Sequence, residues 1–400
     1  MAAAVALAAR GVAVEVFEAG PVPGGRARRV RTRGRDYDNG QHLLVGAYRE
    51  LLRLMGMVGV PERALLRCPL ELRYLRGFAL RALPLPAPLG LLGGLLLARG
   101  VPLGERIGAL RFMRAMRAQR FRLREDQSVA SLLAKHRQDG RIGHYLWVPL
   151  CVAALNIAAE QASANAFLAV LRDTLNGPPG ASDLLLPRVD LSRLFPEPAA
   201  AFVEAHGGRV HLRSPVRDLT DLRSRFAQVI VAVGPHQLRT IVPALAFEVS
   251  YEPIYTVYLQ YPDGVRLDRP MLGLDRGHVQ WVFDRGWLAG EHGLIACVIS
   301  AHGAHEALTH AALAECCARE LGDAIPGLPA PRGSQVIAEK RATAACVPGA
   351  PRPDTRPALD GLYLAGDYTD PEYPPTLEAA VRSGLRAAQA VAEDRATARA

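Results

Sequence analysis

Lysine is almost missing from this chain. Of its 48 basic residues only Lys135 and Lys340 are lysines, so the formal charge of +9 is an arginine charge. Aromatics are also sparse, at 6% of the residues, and no basic stripe interleaved with them occurs. That pattern gives no nucleic-acid footprint, and nucleic acid is set aside as a partner. Cysteine is scarce too. Cys68, Cys151, Cys297, Cys316, Cys317 and Cys346 form no C-x-x-C pair, and adjacent Cys316 and Cys317 make no metal knuckle. No metal site is expected, and reduced thiols in a cytoplasmic protein are the simplest reading. Long hydrophobic runs are missing as well. Ala82 to Ala98 is uncharged for 17 residues but carries three prolines and three glycines, which makes it short and poorly suited to span a bilayer. The opening MAAAVALAARG has no basic region ahead of its apolar residues, so no secretory signal is expected. What the chain does have is size and oil: 400 residues, half of them hydrophobic, ample for a large core and two or three domains.

One stretch organises the rest. Val14-Glu15-Val16-Phe17 is a short apolar, β-branched run that reads as a buried strand, and it ends at an acid, Glu18. A Pro and Gly turn follows, then Gly24-Gly25-Arg26, and then an extended piece with Asp38-Asn39-Gly40-Gln41-His42. An acid at the carboxyl end of an early strand in an α/β unit is where a dinucleotide's ribose hydroxyls are held. Paired glycines let backbone approach a pyrophosphate with no Cβ in the way, and arginine offers it a planar, permanently charged fork. The same spacing also suits a strand, a turn and a basic surface loop.

Glu18 followed by Gly24-Gly25-Arg26-Ala27-Arg28 resembles the second flavin motif of the amine oxidase and phytoene desaturase superfamily. The continuation from Asp38 through Tyr48 is similar to the squalene-associated FAD-dependent desaturases, the hydroxysqualene dehydroxylases. Trp147 to Asn156 and the tail around Gly366-Asp367 carry the same resemblance, so it covers nearly the whole chain. It implies an α/β fold: a Rossmann-like FAD-binding domain with a mixed-sheet and helical substrate domain. In that family the chain begins with a strand and a G-x-G-x-x-G loop whose amides cradle the pyrophosphate at a helix N-terminus. Here the Ala-rich helix expected over Met1 to Arg10, closed by Gly11, comes first. The first strand and glycine loop are missing. Either the chain starts late, or it is a fragment, or a binding element has been lost. A central sheet position should then be unfilled, exposing strand edges.

The FAD-binding domain is expected to be discontinuous, over 1–60, 205–245 and 355–400. A helical, membrane-facing substrate region is expected over 61–204 and a mixed β-sheet substrate domain over 246–354. Within these, Ala47 to Met57 reads as a helix, Ser128 to Leu175 as a helical block, and Arg106 to Arg124 as a basic amphipathic helix. The last is suited either to a membrane surface or to plain solvation. Ser214 to Asp218 and Ala227 to Val233 read as strands, and Arg341 to Arg356 as a connector. By the resemblance, Val216 stands where the family's backbone meets the adenine. Gly361 to Asp367 reads as strand then turn, with Gly366 allowing close approach and Asp367 accepting from the ribityl chain. Thr376 is the expected N-cap of a helix opening at Leu377 and Glu378, whose amino end faces the flavin's pyrimidine edge and stabilises negative charge there.

The resemblance further implies a reaction: reductive removal of the allylic hydroxyl of hydroxysqualene, a long-chain isoprenoid, to give squalene, with the hydride from reduced FAD. The departing hydroxyl needs a proton. His42 is the candidate acid, because histidine titrates near neutral pH. A packed or hydrogen-bonded histidine is the rival reading. An apolar tunnel is expected, with Ala82 to Ala98 and Val148 to Leu155 as walls. Peripheral contact with the inner face of the membrane and association with partner isoprenoid synthases accompany this expectation. Two alternatives stay open: a carotenoid desaturase, which moves hydride the other way, and a cofactor-free lipid- or partner-binding remnant.

Overall fold

The computed structural model describes all residues except 86–88 and 398–400. The Ala-rich start forms a helix, Ala2–Ala8, and Gly11 turns the chain at φ 71°. This helix packs along the last one, Leu377–Thr397; Gly384 faces Ala2 so closely that a Cβ there would stand 3.0 Å from the Ala2 methyl. The strand after it, Glu15–Phe17, pairs in parallel with Arg209–His211, while Val229–Val231 pairs in parallel with Leu362–Leu364. The two parallel pairs are not hydrogen-bonded to each other, so the Rossmann-like layer is split into two ladders. The residues of Glu15–Phe17 are only half-buried, which is what a strand with one open edge gives.

A five-stranded sheet forms the second layer, in the order Met271–Gly273, Trp281–Asp284, Leu294–Ser300, Tyr251–Gln260, Gly333–Ala344. Its ladders are antiparallel, and a parallel bridge from Tyr74 to Gly273 ties the hairpin of Glu71–Arg73 and Ala79–Arg81 to its edge. Only the first four residues of the Arg341 to Arg356 stretch are strand: the long strand runs to Ala344 before the chain loops back. Tyr251–Gln260 shows why its sequence is apolar at nearly every position. Ile254 and Tyr258 join the core shared with the helical region, whereas Tyr255, Val257 and Leu259 join the core under helix His310–Ala324. Both faces are covered, so the polar alternation of a half-exposed strand disappears.

The helical region follows its predicted pieces. Helix Leu103–Ala118 buries Ala109, Phe112, Met113 and Met116 and leaves its arginines outward. The Ser128 to Leu175 block divides into Val129–Lys135, a π-turn at Gly143–Trp147, Val148–Leu155 and Ala164–Thr174. Pro149 sits at the start of its helix, where its missing N–H costs nothing. Among the described residues no helix is long and apolar enough to cross a membrane.

Candidate functional site

Three stretches far apart in sequence meet. The Arg26 guanidinium donates from Nη2 to Asp367 Oδ1 at 2.7 Å and from Nη1 to the Ala342 carbonyl at 2.6 Å. Asn39 Nδ2 donates to the Arg26 carbonyl at 3.2 Å and to Glu339 Oε2 at 2.9 Å. The Gly24–Arg26 turn, the Asn39–His42 turn and the Gly366–Asp367 turn are thus bound to one another and to the edge strand Gly333–Ala344. Arg26 here spends its fork on Asp367 and a carbonyl, so contact with a pyrophosphate would require that pair to open.

The glycines are where backbone must come close. Gly24 has φ 118°, and a Cβ on it would lie 2.4 Å from the Ala27 carbonyl oxygen. A Cβ on Gly366 would lie 2.3 Å from the Tyr368 ring, whereas one on Gly25 would meet nothing within 4 Å. The Gly25 side therefore opens outward. Gly366 N–H donates to Ser383 Oγ at 2.9 Å, which anchors this turn to the last helix. At that helix's start Thr376 Oγ1 accepts from Ala379 N–H at 3.2 Å, the N-cap expected of it, ahead of Leu377.

Glu18 and Val216 form a second group. Strand pairing continues past Phe17: Glu18 N–H donates to the His211 carbonyl at 2.8 Å and Ser214 N–H donates to the Glu18 carbonyl at 2.9 Å. Val216 follows two residues later in a loop, so Ser214 to Asp218 is not the strand its sequence suggested. Pro215 has no N–H to extend a ladder, and pairing stops there. One Glu18 carboxylate oxygen accepts from Gly20 N–H at 2.6 Å. The amino end of the first helix is buried close by: burial pushes the Met1 ammonium down, and the Glu18 carboxylate pulls the other way.

The Gly40–His42 turn lies on the long central strand. Gln41 N–H donates to the buried Thr256 hydroxyl at 3.1 Å, and Gln41 Oε1 accepts from Arg285 Nη1 at 3.2 Å. His42 Nδ1 stands 2.7 Å from the Gly40 carbonyl, which can only accept, so Nδ1 carries the proton. Burial pushes the His42 pKa down, opposed by that bond and reinforced by Arg26. The ring is therefore mostly neutral at pH 7, and Nε2 is its remaining valence.

Sequence reasoning missed the group beneath this turn. Asp38 is 4% exposed; its Oδ1 accepts from Leu191 N–H at 2.7 Å, and its Oδ2 is 4.0 Å from Arg285 Nη1. Arg285 also donates from Nε to Glu291 at 2.7 Å. Burial outweighs these and pushes the Asp38 carboxyl up to about 6. Asp38 lay inside the recognised motif, but no local pattern marks Arg285, which opens the short helix Arg285–Ala289, 247 residues later. Glu378 was noted only as an acid in a first turn. It is fully buried, and its carboxylate accepts from Glu50 N–H at 3.1 Å, Leu51 N–H at 2.9 Å and Arg382 Nε at 2.9 Å, so it caps the neighbouring helix Arg49–Met57.

The expected tunnel walls are not seen flanking an open passage. Val148–Leu155 and the described part of Ala82 to Ala98 both pack into the large core, and residues 86–88 lie outside the described ones. A shallow, open surface hollow of about 450 Å³ lies elsewhere, between Ala6, Arg10, Arg53 and Arg386.

A split parallel layer carrying an acid, a Gly-Gly-Arg turn and a Gly-Asp turn on a helix, set against a large antiparallel sheet, is the arrangement of a flavin-dependent oxidoreductase of the two-layer type. The chain belongs to the flavin containing amine oxidoreductase family, whose model matches residues 1–392. It is 30% identical over 429 aligned positions to a hydroxysqualene dehydroxylase from Rhodopseudomonas palustris, covering 98% of this chain and 95% of that one. A second hydroxysqualene dehydroxylase, from Zymomonas mobilis, is 25% identical over 97% of this chain and 95% of its own length. Among solved structures, an oxidoreductase from Methanosarcina mazei superposes with a TM-score of 0.71 at 15% identity, over 97% of each chain. Cyclohexylamine oxidase from Brevibacterium oxydans does so with 0.65 at 17%, over 98% of this chain and 96% of that one.

The residues present fit a flavin dinucleotide. They supply a carboxylate for hydroxyls at Glu18, a guanidinium for phosphate at Arg26, a second carboxylate at Asp367, and an open glycine face at Gly25. The Tyr368 hydroxyl, one residue from Asp367, is buried with no partner.

Proposed function

We propose that this chain binds FAD and reductively dehydroxylates hydroxysqualene to squalene. The observation that carries the reading is the meeting of the Gly24–Arg26, Asn39–His42 and Gly366–Asp367 turns through Arg26 and Asn39. Similarity to hydroxysqualene dehydroxylases over almost their full length supports the substrate. Glu18 and Val216 would hold the adenosine end, Gly24, Gly25 and Arg26 the phosphates, and Asp367 the ribityl chain. Gly40, Gln41 and the Thr376–Leu377 helix start would then face the ring. Bound FAD supplies hydride transfer. The chain's own part is to exclude water from an apolar interior, hold the Gly40–His42 turn on Thr256, and deliver a proton to the leaving hydroxyl from Nε2 of the minor imidazolium form of His42, whose Nδ1–H stays on the Gly40 carbonyl.

The substrate is a hydrocarbon, and the surface suits its delivery from a bilayer. Leu85, Leu89, Leu96, Leu97, Leu103 and Ile107 are all exposed large apolar side chains within one short span, and Arg99 and Arg111 beside them are exposed too. An apolar tip with a cationic rim fits the inner, anionic face of a membrane.

The test is product analysis. Flavin-loaded protein, reduced under anaerobic conditions and given hydroxysqualene, should yield squalene by mass spectrometry. Unchanged substrate, or a product with added double bonds, would overturn the proposal; the latter would favour a desaturase.

A further inference from the structure

Behind the central sheet lies a group of side chains that the flavin site does not use. His278 sits on the turn joining Met271–Gly273 to Trp281–Asp284, and Cys316 and Glu320 lie one helical turn apart on His310–Ala324. One ligand atom from each of the three falls within 4.8 Å of the other two. Both Glu320 oxygens are fixed, accepting from His278 N–H at 2.9 Å and Val279 N–H at 3.0 Å, and Cys316 Sγ is 3.5 Å from Glu320 Oε1. The turn is shaped around that carboxylate: Gly277 has φ 90°, and a Cβ there would stand 2.3 Å from the Glu320 carboxyl carbon.

A second observation points to the same place. His305 is 2% exposed, and its Nε2 is buried with no hydrogen-bond partner. Its ring centroid is 6.1 Å from that of His278 and 4.9 Å from Tyr255. A buried imidazole nitrogen with nothing to bond is destabilising unless something else satisfies it. Tyr255 and Thr256 are consecutive on one strand, so their side chains leave opposite faces of the sheet. Thr256 holds the Gly40–His42 turn, and the His305 group lies behind it.

We propose that His278, Cys316 and Glu320 bind one divalent metal of borderline softness, Zn²⁺ being the best match, with solvent in the fourth position and the buried His305 beside His278. Nitrogen, thiolate and carboxylate oxygen are the ligand set that zinc takes at about 2.0–2.3 Å, and a tetrahedron of such bonds needs ligands about 3.3–3.8 Å apart. The three described atoms, within 4.8 Å of one another, would close by at most about 1.0–1.5 Å, within the reach of side-chain torsions. On binding, the Cys316 S–H bond breaks, its proton passes to solvent, and the sulfur–metal bond forms with no change of oxidation state. The metal would fasten the 274–280 turn to helix His310–Ala324. The neighbouring Cys317 takes no part: it is buried in the core under the same helix. This is why the sequence, where Cys316 and Cys317 stand side by side without a knuckle spacing, showed no metal site.

Cobalt is the probe, because a Co²⁺–thiolate bond gives a near-ultraviolet charge-transfer band. Flavin-loaded protein dialysed against chelator is titrated with Co²⁺, then with Zn²⁺. One equivalent of Co²⁺ should give the band, Zn²⁺ should bleach it, and Zn²⁺ should raise the melting midpoint. Cys316→Ser should lose the band, and His278→Ala should bind Zn²⁺ roughly tenfold or more weakly. No band, or a band and affinity unchanged in Cys316→Ser and His278→Ala, would overturn the proposal. Melting of each metal-free variant within a few degrees of the metal-free parent shows that the loss is of binding and not of the fold. Flavin absorbance in the same samples reports the other site separately.

Discussion

Replacing Asp38 by asparagine should stabilise this protein at alkaline pH. Asp38 is buried beneath the Gly40–His42 turn, and burial lifts its carboxyl from an ordinary 3.8 to about 6, against the pull of Leu191 N–H and Arg285. A group whose folded pKa lies above its unfolded pKa favours the fold when protonated. That contribution is complete below about 3.8 and is lost as pH rises through about 6. The gap, at about 1.4 kcal/mol per tenfold in proton affinity, is worth about 3 kcal/mol. With Asp38 only 4% exposed, solvent screening takes little from it. Asparagine keeps an oxygen for Leu191 N–H and carries no charge at any pH. The expected result is equal stability of variant and wild type near pH 4 and a variant advantage of about 3 kcal/mol at pH 8. For a chain of 400 residues that is about 3–6 °C in melting midpoint. The assay is thermal unfolding of both proteins in steps from pH 4 to pH 8, reading the difference at each pH, since other groups titrate equally in both. A difference that stays at zero would refute the burial argument. A variant less stable at pH 8 would show that Arg285 depends on the Asp38 charge, although Glu291 is its closer partner at 2.7 Å.

Arg26→Ala should weaken FAD binding and leave Asp367 without its cation; removing one charged partner of this kind costs about 1–3 kcal/mol, so the FAD dissociation constant by fluorescence titration should rise about 5- to 150-fold, and an unchanged constant would sink the assignment. Glu18→Ala should weaken binding on the same scale without altering the Arg26–Asp367 pair, and full flavin occupancy at unchanged affinity would remove Glu18 from the ribose site. His42→Gln should slow reoxidation of the pre-reduced enzyme by hydroxysqualene about 10²–10⁴-fold. Because burial lowers the His42 pKa, the wild-type rate should fall as pH rises through a value below 6.5; a variant within a few-fold of wild type and flat across pH would exclude His42 as the acid.

The motifs were legible because each is short and chemically constrained. Glu18 ends a strand, Gly24 and Gly366 are held where no side chain fits, and Thr376 is a capping residue followed by a helix former. Each of these can be read from a few neighbouring letters. The opening helix was equally readable, from the Ala-rich run ahead of the first apolar strand. What could not be read was pairing over distance. Arg285 beneath Gln41, Glu378 capping Arg49–Met57, and Glu339 on Asn39 are ordinary charged residues in unremarkable surroundings; only the tertiary fold gives them partners. The tunnel walls were no easier to read. Ala82 to Ala98 and Val148 to Leu155 are apolar enough for a wall, but apolar segments serve equally well as core or surface; here Leu91, Leu95, Cys151 and Leu155 pack as core while Leu85, Leu89, Leu96 and Leu97 stay exposed.

The bond from Arg26 to Asp367 joins positions 341 residues apart. Closing a free loop of that length costs about 5 kcal/mol of chain entropy, more than one ion pair returns. The pair therefore cannot nucleate anything; it can form only after the intervening layers have already drawn the two ends together. During synthesis the Gly24–Arg26 turn is made early and then waits, its arginine without its carboxylate, until almost the whole chain has left the ribosome. A chain cut short by even a tenth of its length would keep the central sheet and most of the helical region, yet lose Asp367, Thr376 and the helix behind them. Such a truncated product would lack one of the three turns on which the proposed flavin site rests, so under that proposal it should purify colourless.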